Sequence, residues 1–159
     1  MTKTFLALFT SLMIFSAASG QSTKTVYFEL GGPGVASFNF DTRVSGRNDG
    51  LGFRAGFGGF SDGDESIFFF PLQVNYLFGK DTKHFFEVGA GATIVTQTGD
   101  FDSDGIFESS FGHAYFGYRR QPADGGFLFR AGITPIFNIT SRNSFFLPFY
   151  AGVSFGYAF

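Results

Sequence analysis

Three groups of side chains in this sequence are of types that do chemistry. The first is acidic. Asp100-Phe101-Asp102-Ser103-Asp104-Gly105-Ile106-Phe107-Glu108 contains D-x-D-x-D-G. Oxygen ligands at alternate positions, with a glycine for the sharp turn, are what Ca²⁺ requires. Asp100, Asp102 and Asp104 are the candidate ligands. Phe111 stands where an EF-hand loop has its bidentate Glu, so Glu108 would have to supply that ligand. The plainer reading is a solvated acidic loop tip. The second group is His113 with Ser109, Ser110 and Glu108, the residue types of a nucleophilic hydrolase. Residues this close along a strand do not by themselves form a relay, and His113 falls on the inward face in the register derived below. The other histidine, His84, stands beside a turn as a polar interface residue. The third group is dispersed: Glu29, Asp41, Arg43, Arg54, Glu87, Arg119 and Arg130. These charges recur on one face of successive segments and suit mutual pairing. No H-E-x-x-H or phosphate-binding glycine loop is present. The sequon Asn138-Ile139-Thr140 is read as chance.

The elements that would position these residues are strands. The 159 residues include 27 Phe and 23 Gly, and Gly is a poor helix former. Apolar residues alternate with small or polar ones, the period of a pleated strand. Eight segments follow from this. Val26, Phe28 and Leu30 alternate with Tyr27 and Glu29, and Gly31-Gly32-Pro33-Gly34 is a turn. Ala36, Phe38, Phe40 and Thr42 lead to a turn at Ser45–Gly50. Leu51, Phe53, Ala55 and Phe57 lead to an acidic loop at Ser61–Glu65. Phe68 to Phe78 follows, interrupted by Pro71, which implies a bulge or a local break in the ladder. After the turn Gly79–Lys83 comes Phe86 to Ile94, then the longest loop, Thr98–Phe107. Ala114, Phe116 and Tyr118 lead to the turn Gln121–Gly125. Phe127, Phe129, Ala131, Ile133 and Phe137 make the seventh segment. Leu147 to Phe159 (LPFYAGVSFGYAF) makes the eighth, with Leu147, Phe149, Ala151, Val153, Phe155, Tyr157 and Phe159 on one face.

Eight antiparallel segments form an up-and-down β-barrel, and the remaining question is which face points out. A soluble barrel would bury the Phe face around a ligand. The face opposite Phe, however, is rich in Gly, Ser and Thr rather than in the Lys and Glu of a watery surface. Small residues suit a narrow eight-strand interior, and the Phe face is nearly free of charge. The reading is therefore a transmembrane barrel with Phe toward lipid and the charges inside, as a salt-bridged filling rather than an open pore. Buried charges are tolerated only when paired. An even strand count puts Ser45–Gly50, Gly79–Lys83 and Gln121–Gly125 on the periplasmic side. The loops at Gly31–Gly34, Ser61–Glu65, Thr98–Phe107 and Thr140–Ser144 are then external. The short Gly31–Gly34 turn fits this scheme least well.

Bulk properties bound the partners. A formal charge of −2 gives no basic field for nucleic acid. No cysteine is present in a chain read as exported, so neither disulfides nor thiol chemistry contribute. Residues 1–20 read as a cleaved signal peptide: Lys3, an apolar run Phe5–Phe15, then small residues with Ala18 and Gly20 at a cleavage site. The barrel domain is 21–159.

Two resemblances carry these expectations further. Phe155, Tyr157 and Phe159 in a final alternating strand resemble the C-terminal signal that the barrel-insertion machinery reads. Over 26–159 the chain resembles the small outer-membrane β-barrel proteins of Bacteroidetes-type Gram-negative bacteria, through ELGGPG (29–34), SFNFDTR (37–43), RAG (54–56), NYLFG (75–79), HFFEVGAG (84–91), GYRRQ (117–121), FRAGITP (129–135) and the last eight residues. That resemblance implies an outer-membrane location, contact with lipid and lipopolysaccharide, a monomer, and no cofactor beyond Ca²⁺ at the acidic loop. It implies a structural or surface-interaction role without an enzyme site. A narrow channel or small-solute transporter is the alternative. A lipid A-modifying enzyme is a further one, since some barrels of this size use a His–Ser–acid arrangement.

Overall fold

A computed structural model describes residues 23–62, 65–98, 109–139 and 145–159. The predicted signal peptide and the acidic residues Asp100, Asp102, Asp104 and Glu108 lie outside them. Ten strands are present among the described residues: β1 (Lys24–Gly31), β2 (Ala36–Arg43), β3 (Gly50–Asp62), β4 (Glu65–Phe78), β5 (His84–Thr98), β6 (Phe111–Arg120), β7 (Gly126–Ile133), β8 (Ile136–Asn138), β9 (Phe146–Leu147) and β10 (Ala151–Ala158). They make eight staves, because β7 runs on into β8 and β9 into β10. Every neighbour is antiparallel, and β10 returns to β1 with Phe28 opposite Phe155. The barrel is closed, so no edge runs its full length. Paired backbone bonds between Lys24 and Phe159 finish the seam, at 2.9 and 2.8 Å.

The pleat sorts the side chains as the alternation requires. Phe38, Phe40, Phe53, Phe57, Leu72, Val74, Phe86, Phe116, Phe127 and Phe155 are exposed on the outer wall, Phe38 at 71 %. Neighbouring rings touch across strands, with Phe28–Phe38 centroids at 5.0 Å and Phe129–Phe155 at 5.5 Å. The interior is polar at mid-height. Toward the longer loops it is apolar, through Ile67, Phe69, Phe111 and Ile136. Toward the short turns it is apolar again, through Leu77, Phe85 and Leu128.

Three details depart from the plain alternation. First, Pro71 breaks the β3–β4 ladder without a bulge. Ala55 pairs Leu72 and Gly58 pairs Phe69, so register is kept across an unpaired gap, as expected of a residue with no N–H to donate. Second, the eighth stave is bulged rather than continuous. Between Ile133↔Ala151 and Ile136↔Leu147, the pair Thr134-Pro135 faces the three residues Pro148-Phe149-Tyr150. One extra residue reverses the faces beyond it. Leu147 therefore shares the register of inward Ile136, and Phe146, not Leu147, takes the outward place beside Phe137. Third, the first turn does not project outward. Gly32–Gly34 forms a 3₁₀ turn that is buried in the mouth of the barrel, against β3, β4, β5 and β10.

Candidate functional site

The interior of the barrel holds the densest chemistry in the described chain. Six staves each contribute to it. Glu29 comes from β1, Asp41 and Arg43 from β2, Arg54 from β3, Glu87 from β5, Arg119 from β6 and Arg130 from β7, all buried. They are inward because each shares its strand's parity with the small residues, and lipid would not take them. The ion pairs run as one alternating ladder: Arg54, Glu29, Arg130, Glu87, Arg119, Asp41, Arg43. Arg54 closes on Glu29 and Arg43 on Asp41. Arg130 reaches Glu29 at 3.3 Å and grips Glu87 with two nitrogens, at 2.7 and 2.9 Å. Arg119 lies 3.3 Å from Glu87 and 3.1 Å from Asp41. Each carboxylate sits between two guanidiniums, the arrangement that makes buried charge tolerable.

The ladder has supports that sequence reasoning left unassigned. Asn39 accepts from Arg54 Nε at 2.9 Å, Thr25 accepts from Arg119 at 3.0 Å, and Asn75 bonds both Arg43 and Asp41. Ser154 lies between Arg130 and Glu29. Two phenol rings form the hub. Arg130 stands 4.8 Å from the Tyr27 centroid and 4.5 Å from that of Tyr115, and Arg54 and Arg119 also face Tyr27. Their signal was in the sequence: Tyr27, Asn39, Gln73, Asn75, Tyr115 and Ser154 all have the inward parity. Inward glycines make the room. A Cβ on Gly52 would meet the Arg43 guanidinium at 2.1 Å, and one on Gly117 would meet the Tyr115 hydroxyl at 2.6 Å.

His113 is buried on the inner wall near the loop end. Its Nδ1 lies 3.5 Å from Thr93 Oγ1, whose own proton goes to the Pro33 carbonyl at 2.8 Å. The other ring nitrogen, Nε2, has no hydrogen-bond partner among the described residues. Ser110 Oγ instead accepts from the Val95 amide at 3.1 Å. The His113 ring thus faces the lumen and not lipid. His84 is exposed on the outer wall beside the Gly79–Lys83 turn. It bonds Tyr118 and stacks on it at 5.9 Å. In that turn Asp81 accepts the amides of His84 and Lys83, which hold its carboxyl below the usual carboxylate range.

The short-turn end is tied shut by amides. Asn48 Nδ2 donates to the Thr82 and Gln121 carbonyls at 2.8 and 2.9 Å, and Gln121 Nε2 donates to Asn48 Oδ1 at 2.6 Å. Gln121 is buried there; its Nε2 bonds both the side-chain and the main-chain oxygen of Asn48, and its main-chain carbonyl takes the Asn48 amide. Asn48→Ala is expected to lower unfolding free energy by about 1–3 kcal/mol, the range for stranding a buried amide. Urea titration of the refolded protein measures this; a change under about 0.5 kcal/mol would mean that water replaces the amide freely.

Solved structures with a similar backbone are small outer-membrane barrels. The N-terminal β-barrel domain of Pseudomonas aeruginosa OprF aligns with a TM-score of 0.57 at 15% identity, over 88% of this chain and 98% of that one. Yersinia pestis Ail, in a phospholipid bilayer nanodisc, aligns at 0.52 and 12% identity, over 89% and 100%. The outer membrane enzyme PagL aligns at 0.45 and 18%, over 84% and 97%. At these identities the likeness concerns the fold, which is that of an eight-strand outer-membrane barrel. No protein-family profile and no curated protein sequence matches the chain.

Proposed function

We propose that this protein is a sealed barrel of the outer membrane, a small barrel of the Bacteroidetes type, that serves the cell envelope structurally and through its external loops. The observation that carries the reading is the interior. An ion-pair ladder fills mid-height, and apolar side chains occupy both levels beyond it. An ion entering would have to break several buried charge pairs at once, each costly to open. In this reading residues 1–20 direct export, and Phe155, Tyr157 and Phe159 present the insertion signal. The loop end meets lipopolysaccharide. The inward setting of His113 supports a role without lipid chemistry, because a lipid hydrolase needs its base at the lipid face.

Two measurements test this. Refolded protein run unboiled on a gel is expected to migrate ahead of the boiled form, and export to place it in the outer-membrane fraction. In planar bilayers the same preparation is expected to give no resolved conductance steps. Regular steps would overturn the sealed interior in favour of a narrow channel. Deacylation of lipid A that disappears in His113→Ala would overturn the non-enzymatic reading.

A further inference from the structure

The first turn has features of a moving part rather than of a plain connection. Gly32, Pro33 and Gly34 are buried, although they join two strands at the loop end of the barrel. Their anchor comes from the far wall, where Thr93 of β5 donates to the Pro33 carbonyl at 2.8 Å. Glycines make the seat. A Cβ on Gly58 would meet the Gly34 carbonyl at 2.9 Å, one on Gly34 would meet Ser37 Oγ at 2.1 Å, and one on Gly32 would meet the Glu29 carboxylate at 2.9 Å. The turn thus lies directly on the Glu29 end of the ion-pair ladder.

The inward fold is held against its own backbone. Val35 has φ 59° and ψ −68°, and it is the one non-glycine residue with positive φ among those described. A β-branched side chain there is a true outlier, close to the strained form of the γ-turn. Gly31 and Gly32 also have positive φ, 72° and 68°, but glycine takes such angles freely. Strain of this kind persists only where surrounding contacts impose it. The contacts imposing it here are the bonds that close the turn, Gly31 N–H to the Val35 carbonyl at 2.6 Å and Val35 N–H to the Gly32 carbonyl at 3.2 Å, together with the Thr93 bond and the glycine seat that hold the closed turn inward.

We propose that the Gly32–Gly34 turn is an internal plug with a second, upright position, in which Val35 relaxes and the loop-end mouth opens. Raising the turn breaks the Thr93–Pro33 bond and uncovers Ser37, Thr93 and the Glu29 carboxylate. It also frees the hydroxyl that fixes His113. The ladder below stays in place, so the opened space is a blind vestibule and not a pore.

The absence of cysteine from the sequence allows a clean test. Pro33→Cys, refolded in phospholipid vesicles, is treated with a membrane-impermeant maleimide, and its labelling rate is compared in three further backgrounds. Each protein is first shown to keep the fast unboiled band. Thr93→Val removes the hydroxyl anchor and is expected to speed labelling about fivefold to tenfold, the equivalent of one hydrogen bond. Thr93→Ser keeps a hydroxyl and should stay near the parent rate. Val35→Gly removes the strain of the inward position and is expected to slow labelling at least about fivefold. Equal rates in all four proteins would overturn the proposal, as would faster labelling in Val35→Gly or a thiol that reacts at the free-cysteine rate throughout.

Discussion

Glu87→Ala is expected to destabilise the barrel by about 3–5 kcal/mol, the penalty for removing one partner of a buried ion pair. Glu87 is the middle carboxylate of the ladder and touches both Arg119 and Arg130. Its removal leaves four guanidiniums with two carboxylates in an interior walled off from water. Arginine cannot escape by losing a proton, so the charge stays and the fold bears it. Urea titration of the refolded protein in vesicles, read from the gel-shift band because the chain has no Trp, gives the value. Two comparisons make the result specific. Asp49→Ala opens the exposed Arg47–Asp49 pair, in which Arg47 is 76 % accessible, and should cost less than about 1 kcal/mol. The double variant Glu87→Leu/Arg130→Met removes one charge of each sign. It should be less destabilised than the sum of its single variants, because the stranded guanidinium is gone. Additive losses would mean that each arginine is solvated independently and that the ladder is not one network.

Strand parity and charge sign single out the ladder residues, because an apolar outer wall leaves charged side chains only one direction to go. What parity leaves open is which charge meets which. Glu29 and Arg54 are 25 residues apart and meet across β2, whereas Glu29 and Arg130 are 101 apart; only closure of the barrel, β10 onto β1, brings that second pair together. The neutral supports were harder still. Asn39, Asn75 and Ser154 look like generic inward polar residues until the guanidiniums they bond are placed. The hub phenols carry no charge to mark them, and Tyr27 reads in the sequence as just one more aromatic in an aromatic-rich chain.

The departures from plain alternation have a common physical origin. Alternation reports a face only while the register is unbroken. At the entry to the last segment both Phe146 and Leu147 are apolar, so either accepts the outward place, and the bulge at Pro148–Tyr150 leaves no trace in the pattern. Pro71 was visible as a disturbance because its partners are strongly patterned, yet whether it inserts a residue or only omits a bond depends on β3. Order along the chain places the Gly31–Gly34 turn among the external loops and says nothing of the direction in which it folds. Its inward fold depends on Thr93, 60 residues from Pro33, and on glycines of other staves.

Val74→Arg is the matching test of the outer wall, and its expected loss is about 2–4 kcal/mol in a phospholipid bilayer. Val74 is 46 % exposed in the middle of the row Phe70, Leu72, Val74, Tyr76 and Phe78. Exposure of that kind would make a soluble protein indifferent to arginine, since surface substitutions usually shift stability by less than about 0.5 kcal/mol. In hydrocarbon the guanidinium must either strip its water or drag water inward, and both are unfavourable. Depth gives the internal control. Val44, 57 % exposed at the start of the Ser45–Gly50 turn, lies at the edge of the wall, where the same substitution should cost about 0–1 kcal/mol. The gap between the two variants therefore measures the solvent around the Phe face rather than the chemistry of arginine. A gap of about 2 kcal/mol or more in vesicles places Val74 in the bilayer. Equal, small losses would put the Phe wall in water, and its exposed phenylalanines would then need a different partner.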